Sequence, residues 1–130
     1  MNLFYRLSYF FIKKFGNQAT RQKVVFDHHF FVNKYYLNKN ASLHNIIQIL
    51  NTTEHELERL LHTHYALNFT TLCDMYRFKH FWEEFTNPLN AELSVKSIIE
   101  LCGFNSNDEF NDLLSGHKEA SKDILKRNFS

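Results

Sequence analysis

Between residues 21 and 36 the apolar and aromatic positions Val24, Val25, His28, Phe31, Val32, Tyr35 and Tyr36 recur with a period near 3.6 and predict a helix from about Arg21 to Tyr36. The run from Asn38 to Ala41 ends it. Ser42 is placed to cap a short helix whose Leu43, Ile46, Ile47 and Leu50 keep the i, i+3, i+4, i+7 spacing of one buried stripe. Asn51 and Thr52 then form a turn. Thr53 with Glu56 has capping-box spacing, in which each side chain satisfies the other's orphan amide, and the helix it opens turns Leu57, Leu60 and Leu61 inward before ending near Tyr65.

A longer helix is predicted from about Phe69 to Phe85, with Leu72, Tyr76, Phe81 and Phe85 among its buried residues, until Thr86-Asn87-Pro88 stops it. The earlier pattern then returns. Ser94 caps a helix bearing Val95, Ile98, Ile99 and Cys102, and Gly103 supplies the left-handed residue after it, with Phe104 packing back. Ser106 with Glu109 is a second capping box, opening a helix with Phe110, Leu113 and Leu114 inward, and a last short helix is expected from about Ser121 with Ile124 and Leu125 buried.

Ile46-Ile47 corresponds to Ile98-Ile99 at an offset of 52, while Leu57, Leu60 and Leu61 correspond to Phe110, Leu113 and Leu114 at 53, as do the capping boxes. Two short helices joined by a tight turn, apolar on both sides of it, form the helix-turn-helix unit, whose second helix is free to enter a major groove. The fold expected is therefore all-α, with two tandem helix-turn-helix (homeodomain-like) subdomains joined by a linker helix and preceded by an N-terminal amphipathic helical segment. The boundaries are a basic, aromatic segment at 1–25, a first subdomain at 26–67, the linker helix at 68–86 and a second subdomain at 87–130. A connecting helix of 17 residues spans roughly 25 Å and suits two second helices reading adjacent major grooves, which recur about every 34 Å.

From about Phe26 onward, roughly four fifths of the chain, the sequence resembles the AraC/XylS-type DNA-binding domain of bacterial transcription regulators. The residues carrying the resemblance are Leu43-x-x-Ile46-Ile47-x-x-Leu50, then Thr53-x-x-x-Leu57-x-x-Leu60-Leu61, then Arg77 in the linker helix, then Ile98-Ile99-x-x-Cys102-Gly103-Phe104 with Phe110 and Leu114. Near the end Glu119 stands where that family has a turn glycine, Lys122 replaces its usual Pro, and Leu125-Lys126 replaces its aromatic-Arg pair. Ser115-Gly116 stands where the family has a basic pair. The resemblance implies a transcription regulator. Since only about 25 residues precede the matching region, no small-molecule effector domain of the family's usual kind is expected.

Composition adds limits. With 44% hydrophobic and 16% aromatic residues in 130, and only 3 Gly and 1 Pro, the chain can bury a core in long uninterrupted helices. The net charge of +1 conceals a division: residues 1–40 carry seven Lys/Arg against the single acid Asp27, and residues 41–130 carry eight bases against thirteen acids. Cys73 and Cys102 lack CxxC spacing, so no disulfide framework or cysteine zinc site is expected, and a cytoplasmic location follows. In MNLFYRLSYFFIKKFG, Arg6 interrupts the apolar run and Lys13-Lys14 follow it, which fits neither a secretory signal nor a bilayer span of about 20 residues. An amphipathic helix lying on the protein and one touching a membrane surface both fit.

The exposed set of the first reading helix is Glu54, His55, Glu56, Glu58, Arg59, His62 and His64, from which we take His55, Glu56, Arg59 and His62, with Thr53 at its start, as DNA-contacting. Arg59 is the candidate for a guanine, since its planar fork can bond O6 and N7 together. In the second helix the set is Ser106, Asn107, Asp108, Asn111 and His117, with Glu109 and Asp112 also exposed. There an Asn can pair with adenine, and an acid can accept from cytosine N4. Because phosphate neutralisation supplies most non-specific affinity, the basic Lys13, Lys14, Arg21 and Lys23 are the candidate phosphate contacts.

His62-x-His64 and His28-His29 do not place two ligands on one helical face, and His55-Glu56 is followed by Arg59 where HExxH needs His, so no metal is expected. No Gly-rich phosphate loop or paired catalytic carboxylates occur, and neither an enzyme nor a cofactor is expected. The function expected is a sequence-specific regulator binding double-stranded DNA, with RNA polymerase or another regulator as further candidate partners. The alternative is a degenerate helix-turn-helix module that binds a protein instead of DNA, motivated by the thirteen acids after residue 40.

Overall fold

A computed structural model of the chain describes residues 17–117 together with Arg6. The short helix expected near Ser121 and the basic pair Lys13-Lys14 lie outside the described residues. All regular structure among those residues is helical, and no helix among them is long and apolar enough to cross a membrane. The helices are α1 (Gln18–Asp27), α2 (Leu43–Ile49), α3 (Glu54–Tyr65), α4 (Phe69–Phe85), α5 (Val95–Leu101) and α6 (Asn107–Leu114). The chain divides into two compact units, residues 1–35 with 41–70, and residues 36–40 with 71–130. The short segment 36–40 therefore belongs with the second unit, and α4 starts in the first and continues as a core element of the second.

In the first unit, Asn17 opens α1 by accepting the Thr20 amide at 2.8 Å. The single helix expected from Arg21 to Tyr36 is divided instead. After Asp27 the backbone widens into a π turn over His28–Val32, with the Asn33 amide bonded five residues back to His28 O at 2.9 Å, and Lys34 turns left-handed at φ 53°. A short 3₁₀ turn, Tyr35–Leu37, follows. With apolar or aromatic side chains at most positions here, several faces satisfy the same period. The one buried holds Phe26 and Phe30, both inaccessible to solvent and stacked with ring centroids 5.2 Å apart, while Val24, Val25, His28, Phe31 and Val32 are half-buried. Ile46 of α2 and Leu57 and Leu61 of α3 complete this core with Phe69, whose ring meets Phe30 edge-on at 6.0 Å. Tyr65 donates to Asp27, which ties the end of α3 to α1.

Ser42 caps α2 by accepting the Asn45 amide at 3.0 Å. The residues Leu50–Thr53 then turn the chain, with Asn51 left-handed at φ 53°, a conformation that its short polar side chain tolerates.

In the second unit, Ser94 and Ser106 cap α5 and α6, accepting from Ser97 N at 3.1 Å and Glu109 N at 3.2 Å. Phe81, Val95, Ile98, Ile99, Cys102, Phe104 and Phe110 form one buried cluster, flanked by half-buried Phe78, Trp82, Phe85, Leu113 and Leu114. Its centre is the contact of Phe81 with Phe110 at 4.4 Å between centroids. Aromatic pairs of this kind contribute about 0.5–1.5 kcal/mol beyond the area they bury.

Each expected capping box forms its first half, and its glutamate is drawn to the residue before the cap instead of to the cap amide. Thr53 Oγ1 accepts the Glu56 amide at 3.2 Å, but the Glu56 carboxylate takes its proton donor from the Thr52 hydroxyl at 2.7 Å. In the second unit the Glu109 carboxylate likewise reaches the Asn105 amide, at 2.9 Å. In each case the glutamate bonds the residue before the cap, so it fixes the turn as well as the helix start.

Candidate nucleic-acid interface

α3 is amphipathic, with Leu57 and Leu61 buried and its other face open. Its exposed residues divide by role. Thr53 is the cap, and Glu56 is drawn to Thr52. His55, Arg59 and His62 lie at i, i+4 and i+7, one exposed stripe with Glu58 beside it, and the Arg59 guanidinium meets no carboxylate among the described residues. The structure thus brings together three of the five residues expected to read DNA from this helix and gives the other two a part in its first turn.

α6 turns Phe110 inward and exposes Asn107, Asp108, Asn111 and Asp112. Ser106 is its cap. His117 lies beyond the helix end, its ring 5.0 Å from that of Phe78, and so stands apart from the exposed amide and acid stripe. Both helices carry acids: α6 has Asp108, Glu109 and Asp112 without a base, whereas α3 sets Glu54, Glu56 and Glu58 against Arg59 and the imidazoles of His55, His62 and His64.

Glu109 has a different task. Arg77 of α4 is 3% exposed, and its Nε donates to Tyr36 O at 2.6 Å while Nη2 donates to Asn38 O at 3.0 Å. Its Nη1 stands 3.7 Å from the Glu109 carboxylate. One guanidinium therefore satisfies two loop carbonyls and faces the first turn of α6, holding segment 36–40 in the second unit. Burial and the Glu109 charge push the Asp74 carboxyl up, with Arg77 opposing them. The sequence carried a signal for this buried arginine, since Cys73, Arg77 and Phe81 fall on one helical face that is otherwise apolar.

Of the candidate phosphate contacts, Lys23 pairs with Asp27 at 2.6 Å and lies 5.7 Å above the Tyr65 ring, so its charge meets an acid of the same helix. Arg21 is exposed and has no acidic partner among the described residues.

Both cysteines are buried, and burial pushes each thiol up to about 12. In the unfolded chain they titrate near 9. The folded state therefore holds its thiol protons at pH values where the unfolded chain loses them, and stability is full below about pH 9 and falls as pH rises from there toward 12. We expect native protein at pH 8 to react with a thiol-specific disulfide reagent only as fast as it opens, with prompt reaction of both thiols in denaturant. A fast native phase would contradict the buried placement. No group of three or more metal-binding side chains occurs among the described residues. Comparison of the chain with protein-family models, with curated proteins and with solved structures finds no match.

Proposed function

We propose that this protein is a sequence-specific, DNA-binding transcription regulator of the cytoplasm, resembling the AraC/XylS type, in which α2-turn-α3 and α5-turn-α6 act as helix-turn-helix units. The observation that carries this reading is α3: a capped helix after a tight turn, with His55, Arg59 and His62 on its open stripe and no acid among the described residues on the Arg59 fork. Arg59 reads guanine, the two imidazoles donate to base edges or phosphate, and Asn111 pairs with adenine from α6.

A selection from random duplex DNA at low salt, run in parallel with wild type, Arg59→Ala and Asn111→Ala, tests this. An enriched motif that each substitution relaxes at a different base is expected, at about 1–3 kcal/mol of lost discrimination per contact. An enrichment profile without any motif would overturn it. The second reading, a module that binds a protein such as RNA polymerase or another regulator, is favoured by one observation: α6 exposes Asp108 and Asp112 beside its two Asn residues.

Lys13 and Lys14, with Arg21, supply phosphate contacts in this scheme. Removing residues 1–16 takes away Arg6, Lys13 and Lys14 and should flatten the salt dependence of DNA affinity by a log-log slope of about 2. An unchanged slope would assign the phosphate contacts elsewhere.

A further inference from the structure

In the first unit, α1, the turn after α2 and α3 enclose a cleft of about 430 Å³. Its floor is apolar, made by Val25, Leu50, Leu57 and Leu60. A second cleft of about 460 Å³ adjoins it, sharing Gln18, Gln22, Glu56 and Leu60, and is edged by Arg59. Together they make one trough with a greasy middle, glutamine amides along its rim, Arg21 at the edge of one part and Arg59 at the edge of the other.

The charge around this trough is asymmetric. Neither arginine meets a carboxylate among the described residues, and the single acid shared by both parts, Glu56, already accepts from the Thr52 hydroxyl. A volume in this range with an apolar floor and a few convergent polar groups is the usual form of a small-molecule site. Two guanidiniums at its edge, neither paired with an acid among the described residues, select an anionic head, because their forks bond a carboxylate or sulfonate in bidentate fashion.

We propose that this trough binds a small amphipathic anion, an apolar body lying on Val25, Leu50, Leu57 and Leu60 with its carboxylate or sulfonate held by Arg59. Binding itself does not depend on DNA recognition. Its consequence does, and rests on the function proposed above: an anion on Arg59 competes with guanine for the same fork, so the ligand releases DNA from α3.

Sodium decanoate is the probe, titrated into the full chain below its micellar range and followed by two-dimensional NMR, with decyltrimethylammonium as the same tail carrying the opposite charge. The expected result is saturable shifts centred on Val25, Leu50, Leu57 and Leu60, with the cation at least about tenfold weaker. Leu60→Phe, which fills the floor, should abolish binding. Gln22→Glu, a nearly isosteric change at the half-buried rim, should weaken it about tenfold and decides the matter if Leu60→Phe fails to fold. No saturable shift, equal binding of the cation, shifts centred elsewhere, or wild-type binding by Gln22→Glu would each overturn the proposal. Decanoate should also lower the affinity of wild type for its selected duplex. If the selection yields no DNA motif while decanoate binds as described, the regulator reading fails and the ligand site stands.

Discussion

Replacing Arg77 with methionine should cost about 3–5 kcal/mol of stability, the range found when one partner of a buried, hydrogen-bonded charge is removed. Met keeps an unbranched apolar stem like that of Arg and removes only the guanidinium end, so the loss is chiefly polar. Tyr36 O and Asn38 O lose their donors, and Glu109 loses the cation facing it. A buried carbonyl left without a donor costs roughly 1–3 kcal/mol. Arg77→Lys should fall between, because one ammonium cannot serve two carbonyls in the fixed directions of the fork. Urea unfolding read by Trp82, which packs in the second unit's core, measures this. A loss below about 1 kcal/mol would mean that water replaces the guanidinium and that the clamp is not structural.

Gly103→Ala should be comparably damaging, for an independent reason. Gly103 sits at φ 86°, and a Cβ there would lie 2.6 Å from Tyr36 O, 2.7 Å from Leu37 O and 2.8 Å from Leu37 C. The left-handed backbone costs alanine roughly 1–2 kcal/mol, and the contacts are with backbone, which cannot step aside as a flexible side chain would. A total of about 3 kcal/mol or more is expected, above the roughly 1 kcal/mol of an ordinary substitution. Arg77 and Gly103 act on the same stretch, Tyr36 to Asn38, so the double variant should lose less than the sum of the singles. Strict additivity would show that the two hold that stretch independently.

The parts of this fold that were legible in sequence are those fixed over one turn of chain. Ser42, Thr53, Ser94 and Ser106 all cap helices as their spacing predicts, because a side-chain oxygen three residues before an amide is a local arrangement. Gly103 takes the left-handed position after α5 for the same reason. Length scales beyond a turn were harder. The stretch 21–36 is so rich in apolar side chains that periodicity could not select its buried face, and the π turn over His28–Val32 leaves no mark in a 3.6-residue pattern. The attachment of segment 36–40 to the second unit depends on Arg77, some forty residues away. In the candidate site, the exposed stripe of α3 followed from the buried one, but the part of Glu56 and Glu109 in fixing the turns did not. The trough was invisible because it needs α1, the turn and α3 placed side by side.

That α3 reads DNA is tested most directly by a double-mutant cycle between Arg59 and the guanine assigned to it. Affinities of wild type and Arg59→Ala are measured for the selected duplex and for the same duplex with that G·C pair replaced by A·T. If the guanidinium bonds the guanine, the two changes share one interaction and couple by about 1–3 kcal/mol, so that Arg59→Ala no longer distinguishes the two duplexes. Additive losses, with Arg59→Ala still preferring guanine, would contradict it.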